Sequence, residues 1–328
     1  MVRVTRVLVT GGSGTLGRAL AARLVHENLP WDLAIFSRDE VKQAEMAEMY
    51  GRVGGRFRFM LGDVRDRDRL ALAMRGCQAV VHAAALKRME TGVYDPEEMV
   101  RTNVQGTINV VRAAVETGVA KVLVVSTDKA VAPTTLYGAT KLVAERFAIS
   151  SNAYAFPQGT RVSVVRYGNV IDSRGSVLHL YRRLAAEGRA LPITDPACTR
   201  FLLTSEQAVS ILLGALECMT GGETFVPADV PAARVVDLAE AVAPGVPHVI
   251  TGLRGGSDEK LHEELMTPVE IRRAMQVGAS YVIHPDAPSW RYEPSSGVPI
   301  VDVQGYRSNG GRMMTIEEIR QMVGGKRA

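Results

Sequence analysis

The stretch that decides the fold is Thr10-Gly11-Gly12-Ser13-Gly14-Thr15-Leu16-Gly17. It follows an apolar run from Val4, typical of a buried strand, and precedes an amphipathic segment over residues 15–27. Glycines spaced as G-x-x-G-x-x-G permit a tight turn and a close backbone approach, while the helix N-terminus directs NH groups at an anion. The stretch therefore predicts a strand-loop-helix unit that binds the pyrophosphate of a dinucleotide. The predicted contacts are Gly11, Ser13, Gly14, Thr15, Leu16 and Gly17.

The alternation of strand and helix continues through the first half of the chain. The predicted strands cover residues 4–10, 31–37, 56–62, 79–83, 121–127 and 161–167. The predicted helices cover residues 15–27, 39–50, 66–75, 95–117 and 136–150. Continuously apolar strands separated by helices indicate a parallel sheet covered on both faces. The predicted fold class is therefore α/β, with a doubly wound Rossmann-type sheet.

The pattern loosens beyond about residue 170. Helices are predicted around residues 176–188, 205–218, 235–242, 258–266 and 315–323, without regular strand partners. We expect residues 1–170 to form a dinucleotide-binding domain and residues 171–328 to form a smaller substrate-binding lobe. Residues 200–228 are expected to return to the sheet of the first domain.

Composition limits the function classes. The chain has 328 residues, of which 46% are hydrophobic, so it is too apolar to be disordered and long enough for about two domains. Its net charge of +4 suits an anionic small molecule and argues against a nucleic-acid partner, which usually meets a concentrated basic face. Three scattered cysteines, Cys77, Cys198 and Cys218, predict neither a disulfide framework nor a metal site. Without a signal peptide or an apolar run of ~18 residues, we expect a cytoplasmic protein with no membrane partner.

The end of the second predicted strand indicates which cofactor is bound. An acidic residue there would bind the ribose 2′-hydroxyl of NAD. Here Ser37 and Arg38 end the strand, and Lys42 lies one helical turn further on. These groups suit a 2′-phosphate, so NADP is the predicted cofactor, with NAD as the alternative through Asp39.

Asp63 and Val64 come after the third predicted strand and are expected to contact adenine. A helix cap is the other interpretation of Asp63.

The candidate catalytic residues follow the strand over residues 121–127. Tyr137 and Lys141 lie four residues apart and so share one helix face. A nearby ammonium stabilises a phenolate, which makes Tyr137 a candidate base for a hydroxyl proton while hydride passes to a nicotinamide. Asp128 and Lys129 form a candidate general acid/base couple, with a loop salt bridge as the alternative.

Together these motifs resemble the extended short-chain dehydrogenase/reductase superfamily. More closely, the chain is similar to the C5-inverting UDP-N-acetylglucosamine 4,6-dehydratases of pseudaminic acid biosynthesis, over nearly its whole length to about residue 285. The segments that carry the resemblance are 36–40, 82–87, 102–106, 126–130, 136–141, 166–170, 173–176, 192–195, 199–201 and 259–263.

The resemblance implies an elimination without net oxidation. Tyr137 would help to oxidise C4 of the sugar, with Thr127 hydrogen-bonded near C4. Lys129 would take the C5 proton, and Asp128 would protonate the departing 6-hydroxyl. The hydride would return to C6 and the proton to the opposite face of C5.

The resemblance also implies binding residues and a closed homo-oligomer. For the cofactor these are Ala83, Ala84, Lys87, Asn103, Tyr137 and Lys141. For a UDP-sugar substrate they are Lys87, Asn169, Arg174, Thr199, Arg200, Arg254 and Glu259, and the arginines suit a diphosphate or uracil.

Three features of the sequence depart from this pattern. One is the loop 132–135, which stands where the family has a loop richer in asparagine. Asp172 stands where the family usually has glycine, and the segment 252–260 is longer than its counterpart. These changes bear on which nucleotide sugar is bound.

Two rival functions fit parts of the same sequence. A nucleotide-sugar 4-epimerase or reductase would use Tyr137 and Lys141 without needing Asp128 and Lys129. A non-catalytic redox sensor would need only the glycine loop.

Overall fold

The computed structural model describes residues 5–324 except 172, 174, 253–258 and 301–303, and leaves the side chain of Met89 undescribed. The strands are β1 (Arg6–Thr10), β2 (Asp32–Ser37), β3 (Phe57–Leu61), β4 (Ala79–His82), β5 (Lys121–Thr127), β6 (Arg161–Tyr167), β7 (Asn169–Val170), β8 (Leu191–Ile193), β9 (Thr199–Leu203), β10 (Thr224–Pro227), β11 (Ala232–Arg234), β12 (His248–Ile250), β13 (Glu264–Met266), β14 (Ala274–Val277), β15 (Ser280–Ile283), β16 (Val298–Pro299) and β17 (Tyr306–Arg307). The helices are α1 (Thr15–His26), α2 (Glu40–Tyr50), α3 (Arg67–Met74), α4 (Met89–Tyr94), α5 (Pro96–Val100), α6 (Gly106–Glu116), α7 (Leu136–Ser150), α8 (Asn152–Ala155), α9 (Val177–Ala186), α10 (Ser205–Cys218), α11 (Val235–Val242), α12 (Pro268–Ile271) and α13 (Ile316–Gly324).

A large sheet organises the molecule, in the order β16-β14-β15-β10-β6-β5-β4-β1-β2-β3. The strands from β10 to β3 along this order run parallel, whereas β15, β14 and β16 are antiparallel additions. The apolar core lies on both faces: α1, α2 and α10 cover one face, and α3, α6 and α7 cover the other. The predicted α/β fold with a doubly wound, Rossmann-type sheet is confirmed.

The carboxyl ends of the parallel strands face a set of smaller sheets. These sheets pair β9 with β11 and β7, β12 with β8, and β13 with β17. The strands of these small sheets come from residues 169–307, and so do β10, β14, β15 and β16 of the large sheet. The expectation that helices beyond residue 170 lack strand partners is therefore wrong.

Two predicted helices differ from the structure. Residues 95–117 are not one helix: α5 is followed by a π-helical turn, Arg101–Gln105, before α6. A π-helical turn shifts the hydrogen-bond register, and here it carries the buried Asn103.

The helix predicted around residues 258–266 is absent from its described part, residues 259–266, which ends in β13. There the buried Leu265 and Met266 pack in the core while the strand pairs with β17, so a distant partner overrides local propensity.

Cys77, Cys198 and Cys218 are free thiols. Among the described residues, no helix is long and apolar enough to cross a membrane.

Candidate active site

A cleft of about 1420 Å³ lies between the carboxyl ends of the parallel strands and the smaller sheets. Most of the residues singled out from the sequence line it. They are Gly11, Ser13, Gly14, Thr15, Leu16, Ser37, Arg38, Lys42, Asp63, Val64, Ala83, Ala84, Lys87, Thr127, Lys129, Tyr137, Lys141, Asn169, Arg200 and Glu259. The cleft thus brings together three sets of residues that the sequence separates: cofactor, catalytic and substrate candidates.

The glycine loop has the close contacts that its pattern predicts. Gly11 has a φ of +66°, and a Cβ there would lie 2.9 Å from the backbone of Ala84. Gly17 does not line the cleft; a Cβ there would lie 2.0 Å from the carbonyl oxygen of Gly12, so it lets α1 approach the loop. Helix α1 begins at Thr15, and its N-cap residue Gly14 has no side chain that could cap the first NH groups. Its first NH groups and the bare glycine surface fit the pyrophosphate of a dinucleotide.

The end of β2 presents both cations and carboxylates to the cleft. Arg38 lies 3.4 Å from the Asp63 carboxylate, and Lys42 pairs with the carboxylate of Asp39. Asp39 also caps α2 by accepting the backbone NH of Lys42 at 3.0 Å. The hydroxyl of Ser13 donates to that of Ser37 at 2.9 Å, which joins the glycine loop to the end of β2.

Asp63 does not cap a helix. It accepts the backbone NH of Arg65 at 2.9 Å and its guanidinium at 2.7 Å, whereas Asp66 caps α3. Burial tends to raise the pKa of the Asp63 carboxyl, but Arg65 and Arg38 outweigh it and lower the pKa. The helix-cap interpretation of Asp63 is therefore wrong.

Asn103 lies behind the cleft instead of lining it. Its side-chain oxygen accepts the NH of Leu86 at 2.8 Å, and its amide donates to the carbonyl of Leu86 at 2.9 Å and to Thr140 at 3.1 Å. Asn103 thus positions the loop of Ala83, Ala84 and Lys87 against α7. His82 is also structural: it hydrogen-bonds two threonine hydroxyls, and burial lowers its pKa to about 3.

Lys129 lies at the centre of the catalytic candidates. Lys129 belongs to a 3₁₀ turn, Asp128–Ala130, which follows β5. Lys129 Nζ lies 3.1 Å from Asp128 Oδ1 and 3.1 Å from Asn169 Oδ1. Asp128 is fully buried and accepts the hydroxyl of Thr127 at 2.9 Å. Burial raises the pKa of Asp128, with the nearby charge of Lys129 opposing the effect. The two carboxylates near Lys129, Asp128 and Glu263, outweigh burial and raise the pKa of its amine.

Tyr137 and Lys141 occupy the first turns of α7, where Thr135 caps the helix by accepting the NH of Gly138. Burial raises the pKa of Tyr137 to about 12, although the charge of Lys129 and a hydrogen bond with Thr127 lower it. Lys141 is buried and donates to the carbonyl of Val125 at 2.7 Å, and burial lowers its pKa to about 8. The two side chains share the face that α7 turns to the cleft.

Glu263 is a second carboxylate beside Lys129, and it is not among the site residues predicted from the sequence. Glu263 Oε1 lies 3.1 Å from Lys129 Nζ, and Glu263 is 2% exposed. It precedes β13, far along the chain from Lys129, and only its place in the segment 259–263 drew attention to it.

The substrate candidates divide into three groups. Arg200 is buried, lines the cleft and pairs with the carboxylate of Glu259. Thr199 is buried outside the lining and hydrogen-bonds His262 at 2.9 Å and Ser308 at 2.6 Å. Arg174 and Arg254 lie outside the described residues, as does Asp172.

A Rossmann-type sheet, a glycine loop and a tyrosine–lysine pair in one cleft define an extended short-chain dehydrogenase/reductase. The sequence model of one family, described as "Polysaccharide biosynthesis protein", matches residues 7–285, and the chain belongs to that family.

Curated relatives and solved structures agree on this class. The chain is 41% identical over 286 residues to a UDP-N-acetylglucosamine 4,6-dehydratase (inverting) from Campylobacter jejuni, which covers 87% of this chain and 84% of the relative. It is 35% identical over 327 residues to a UDP-glucose 4-epimerase from Rickettsia canadensis, with 97% and 94% covered. The structure of Pen from Bacillus thuringiensis superposes with a TM-score of 0.89 at 32% identity, over 99% of this chain and 98% of that one. The resemblance seen in the sequence is confirmed.

Proposed function

We propose that the protein is a nucleotide-sugar 4,6-dehydratase that converts UDP-N-acetylglucosamine to the 4-keto-6-deoxy sugar with inversion at C5. One observation carries the proposal: Lys129 lines the same cleft as Tyr137 and Lys141, and the carboxylate of Asp128, fully buried next to that lining, lies 3.1 Å from its amine. A reaction confined to C4 needs only the tyrosine and lysine, whereas loss of water also needs a base at C5 and an acid at the 6-hydroxyl. The inverting relative, at 41% identity, supports the same assignment.

Tyr137 handles the proton of the C4 hydroxyl. Its phenolate is costly in a buried site, so the nearby charge of Lys129 and the hydroxyl of Thr127 assist its formation. Thr127 also lines the cleft, where it can hydrogen-bond the sugar near C4. We assign Lys141 two roles: its ammonium stabilises the phenolate of Tyr137 and binds the ribose of the cofactor.

Lys129 and Asp128 carry out the elimination. Once C4 is a ketone, the C5 proton becomes acidic and Lys129 removes it. Asp128 gives a proton to the C6 oxygen, which leaves as water. Its raised pKa and complete burial suit a carboxyl group that must carry a proton.

We assign the nicotinamide cofactor to the glycine loop, the end of β2, and the segments around Asp63 and Ala83. When bound, a nicotinamide supplies reversible acceptance of hydride. We propose NADP because Arg38, Lys42 and Ser37 line this part of the cleft and suit a 2′-phosphate. Arg38 and Lys42 would then exchange their pairing with Asp63 and Asp39 for the phosphate.

The remaining assignments concern the nucleotide sugar and the organisation of the chain. Asn169, Arg200, Glu259 and Lys87 line the cleft and are proposed to bind UDP-sugar, together with Thr199, Arg174 and Arg254. We propose residues 1–170 as the cofactor domain and 171–328 as the substrate lobe, with 200–228 returning to the sheet. We also propose that the protein is a lyase, that it is cytoplasmic and that it forms a homo-oligomer.

Incubation with UDP-N-acetylglucosamine in deuterated water, followed by NMR of the product, tests this function. We expect a new C6 methyl group, deuterium at C5 and inverted C5 configuration. In the variant Lys129→Ala, water loss should fall by about 10²–10⁴-fold while cofactor binding persists, because only the base is removed. An epimerised sugar with an intact 6-hydroxyl would refute the proposal.

The alternative is a nucleotide-sugar 4-epimerase. The Rickettsia canadensis relative, which matches 97% of this chain, favours it. Retention of the 6-hydroxyl together with epimerised C4 is the outcome that would select it.

A further inference from the structure

Three acceptors surround the amine of Lys129. Asp128 Oδ1, Asn169 Oδ1 and Glu263 Oε1 each lie 3.1 Å from Nζ. An ammonium has three N–H donors, so this arrangement satisfies all of them. Lys129 is therefore held as an ammonium, whereas the base that removes a C5 proton must be a neutral amine. The proton has to move to one of the two neighbouring carboxylates.

The two carboxylates differ in how many cations they face. Glu263 lies near three: Lys129, Lys260 at 3.5 Å and Arg200 at 4.0 Å. These charges outweigh burial and lower the pKa of Glu263. Asp128 is fully buried and contacts Lys129, and its Oδ2 has no hydrogen-bond partner within the described chain. Glu263 Oε2 also lacks a hydrogen-bond partner within the described chain, so the cations distinguish the two carboxylates. Asp128, which pairs with Lys129 alone among the described cations, can accept a proton more readily than Glu263, which lies near three.

We propose that Glu263 is a positioning residue that stays ionised and holds the Lys129 amine in place while Lys129 passes its proton to Asp128. This rests on the proposed dehydratase function. The transfer turns an ammonium and a carboxylate into a neutral amine and a carboxylic acid, the base and the acid that elimination consumes. The amine then takes the C5 proton, the acid protonates the departing C6 oxygen, and the starting ion pair is restored as water leaves.

The backbone around Glu263 is fastened from the C-terminal part of the chain. The NH of Glu263 donates to Ser308 Oγ at 3.0 Å, and the NH of Ser308 donates to the Glu263 carbonyl at 2.9 Å. Ser308 is fully buried and also bonds Thr199. The carboxylate is therefore presented to Lys129 from a fixed backbone, which positioning requires.

Other charged or titratable groups face Asp128, Lys129 and Glu263 from the surrounding elements. They are Lys87 after β4, Tyr137 on α7, Arg200 on β9 and Lys260 before β13. The variant Glu263→Gln leaves all of them in place and keeps the size of the side chain, so it removes one charge. Loss of this negative charge lowers the pKa of Asp128, because repulsion between the carboxylates disappears, and it also lowers the pKa of Lys129, which loses one of its two anionic neighbours. A slower loss of water in this variant therefore reports the lost hold on the amine.

The test compares the wild type, Glu263→Gln and a control, Glu264→Gln, which alters the neighbouring carboxylate paired with Arg307. NMR of protein labelled with ¹³C at aspartate carboxyls, assigned with Asp128→Asn, follows the titration of Asp128. Stopped-flow absorbance of the reduced nicotinamide reports C4 oxidation, and product NMR reports water loss. In Glu263→Gln we expect Asp128 to titrate at lower pH and water loss to slow by about tenfold or more, with C4 oxidation nearly unchanged.

An unchanged Asp128 titration in Glu263→Gln, or a parallel loss of C4 oxidation and water loss, would overturn the proposal. Should Glu263→Gln fail to fold, Glu263→Asp provides a second measurement. It keeps the negative charge, so Asp128 should titrate as in the wild type. If the wild type forms no 4-keto-6-deoxy sugar, the proposed function fails, whereas the Asp128 titration still decides the role of Glu263.

Discussion

Lys141 is buried and Tyr137 is half-buried, and loss of contact with water moves their pKa values in opposite directions. The neutral form is favoured in each, so the pKa of the tyrosine rises to about 12 and that of the lysine falls to about 8. Of the two, Lys141 is therefore the group that changes charge near neutral pH. In the proposed function its ammonium stabilises the phenolate of Tyr137.

This difference predicts a pH dependence. As pH rises through about 8, Lys141 loses its proton, and the rate of C4 oxidation should fall with it. Lys129 does not titrate in this range, because Asp128 and Glu263 raise the pKa of its amine. Stopped-flow measurement of nicotinamide reduction against pH checks the prediction. A rate that stays constant well above that pH would contradict it.

At the level of single elements, the sequence predicted those that its local pattern determines. Strands β5 and β6 and helices α7, α10 and α11 have the predicted bounds, because continuous apolar runs or helical periodicity mark them. Strand β13 was predicted as helix, because its partner β17 lies far along the chain. The role of Glu263 was missed for the same reason: its contact with Lys129 depends on tertiary pairing.

Helix α1 depends on Gly17 for its approach to the glycine loop. In Gly17→Ala, the new Cβ would lie 2.0 Å from the Gly12 carbonyl oxygen, so helix or loop must shift. We expect a loss of about 1–3 kcal/mol in the free energy of unfolding and weaker nicotinamide binding. Chemical denaturation and cofactor titration measure the two effects.

Gly214→Ala is the matched control for this prediction. Gly214 is an exposed glycine of α10 whose added Cβ would meet open space. Alanine favours a helix over glycine by about 1 kcal/mol, so this variant should be at least as stable as the wild type. Equal destabilisation by both substitutions would show that the contact of Gly17 with Gly12 is unimportant.

At the scale of the whole molecule, one buried cation joins the catalytic helix to the second half of the chain. Arg166 on β6 donates to Glu145 of α7 at 2.6 Å and 3.0 Å, and to Glu270 of α12 at 2.9 Å and 3.2 Å. It also donates to the carbonyl of Leu265 in β13 at 2.9 Å. Glu145 lies one turn beyond Lys141, so the group that orients α7 is tied to the segment that carries Glu263.

Arg166→Met should therefore destabilise the whole fold. It leaves two buried carboxylates unpaired, and breaking such a pair costs about 3–5 kcal/mol. Arg189→Met, which removes an exposed ion pair with Glu187, should change the free energy of unfolding by no more than about 1 kcal/mol. Urea unfolding of both variants measures the difference.

Because Arg166 lowers the pKa of Glu270, the stability that this pair contributes is present above the ordinary glutamate pKa and is lost as pH falls through the lowered value. The deficit of Arg166→Met should accordingly shrink in acid, and a deficit that is independent of pH would show that Arg166 acts through packing alone.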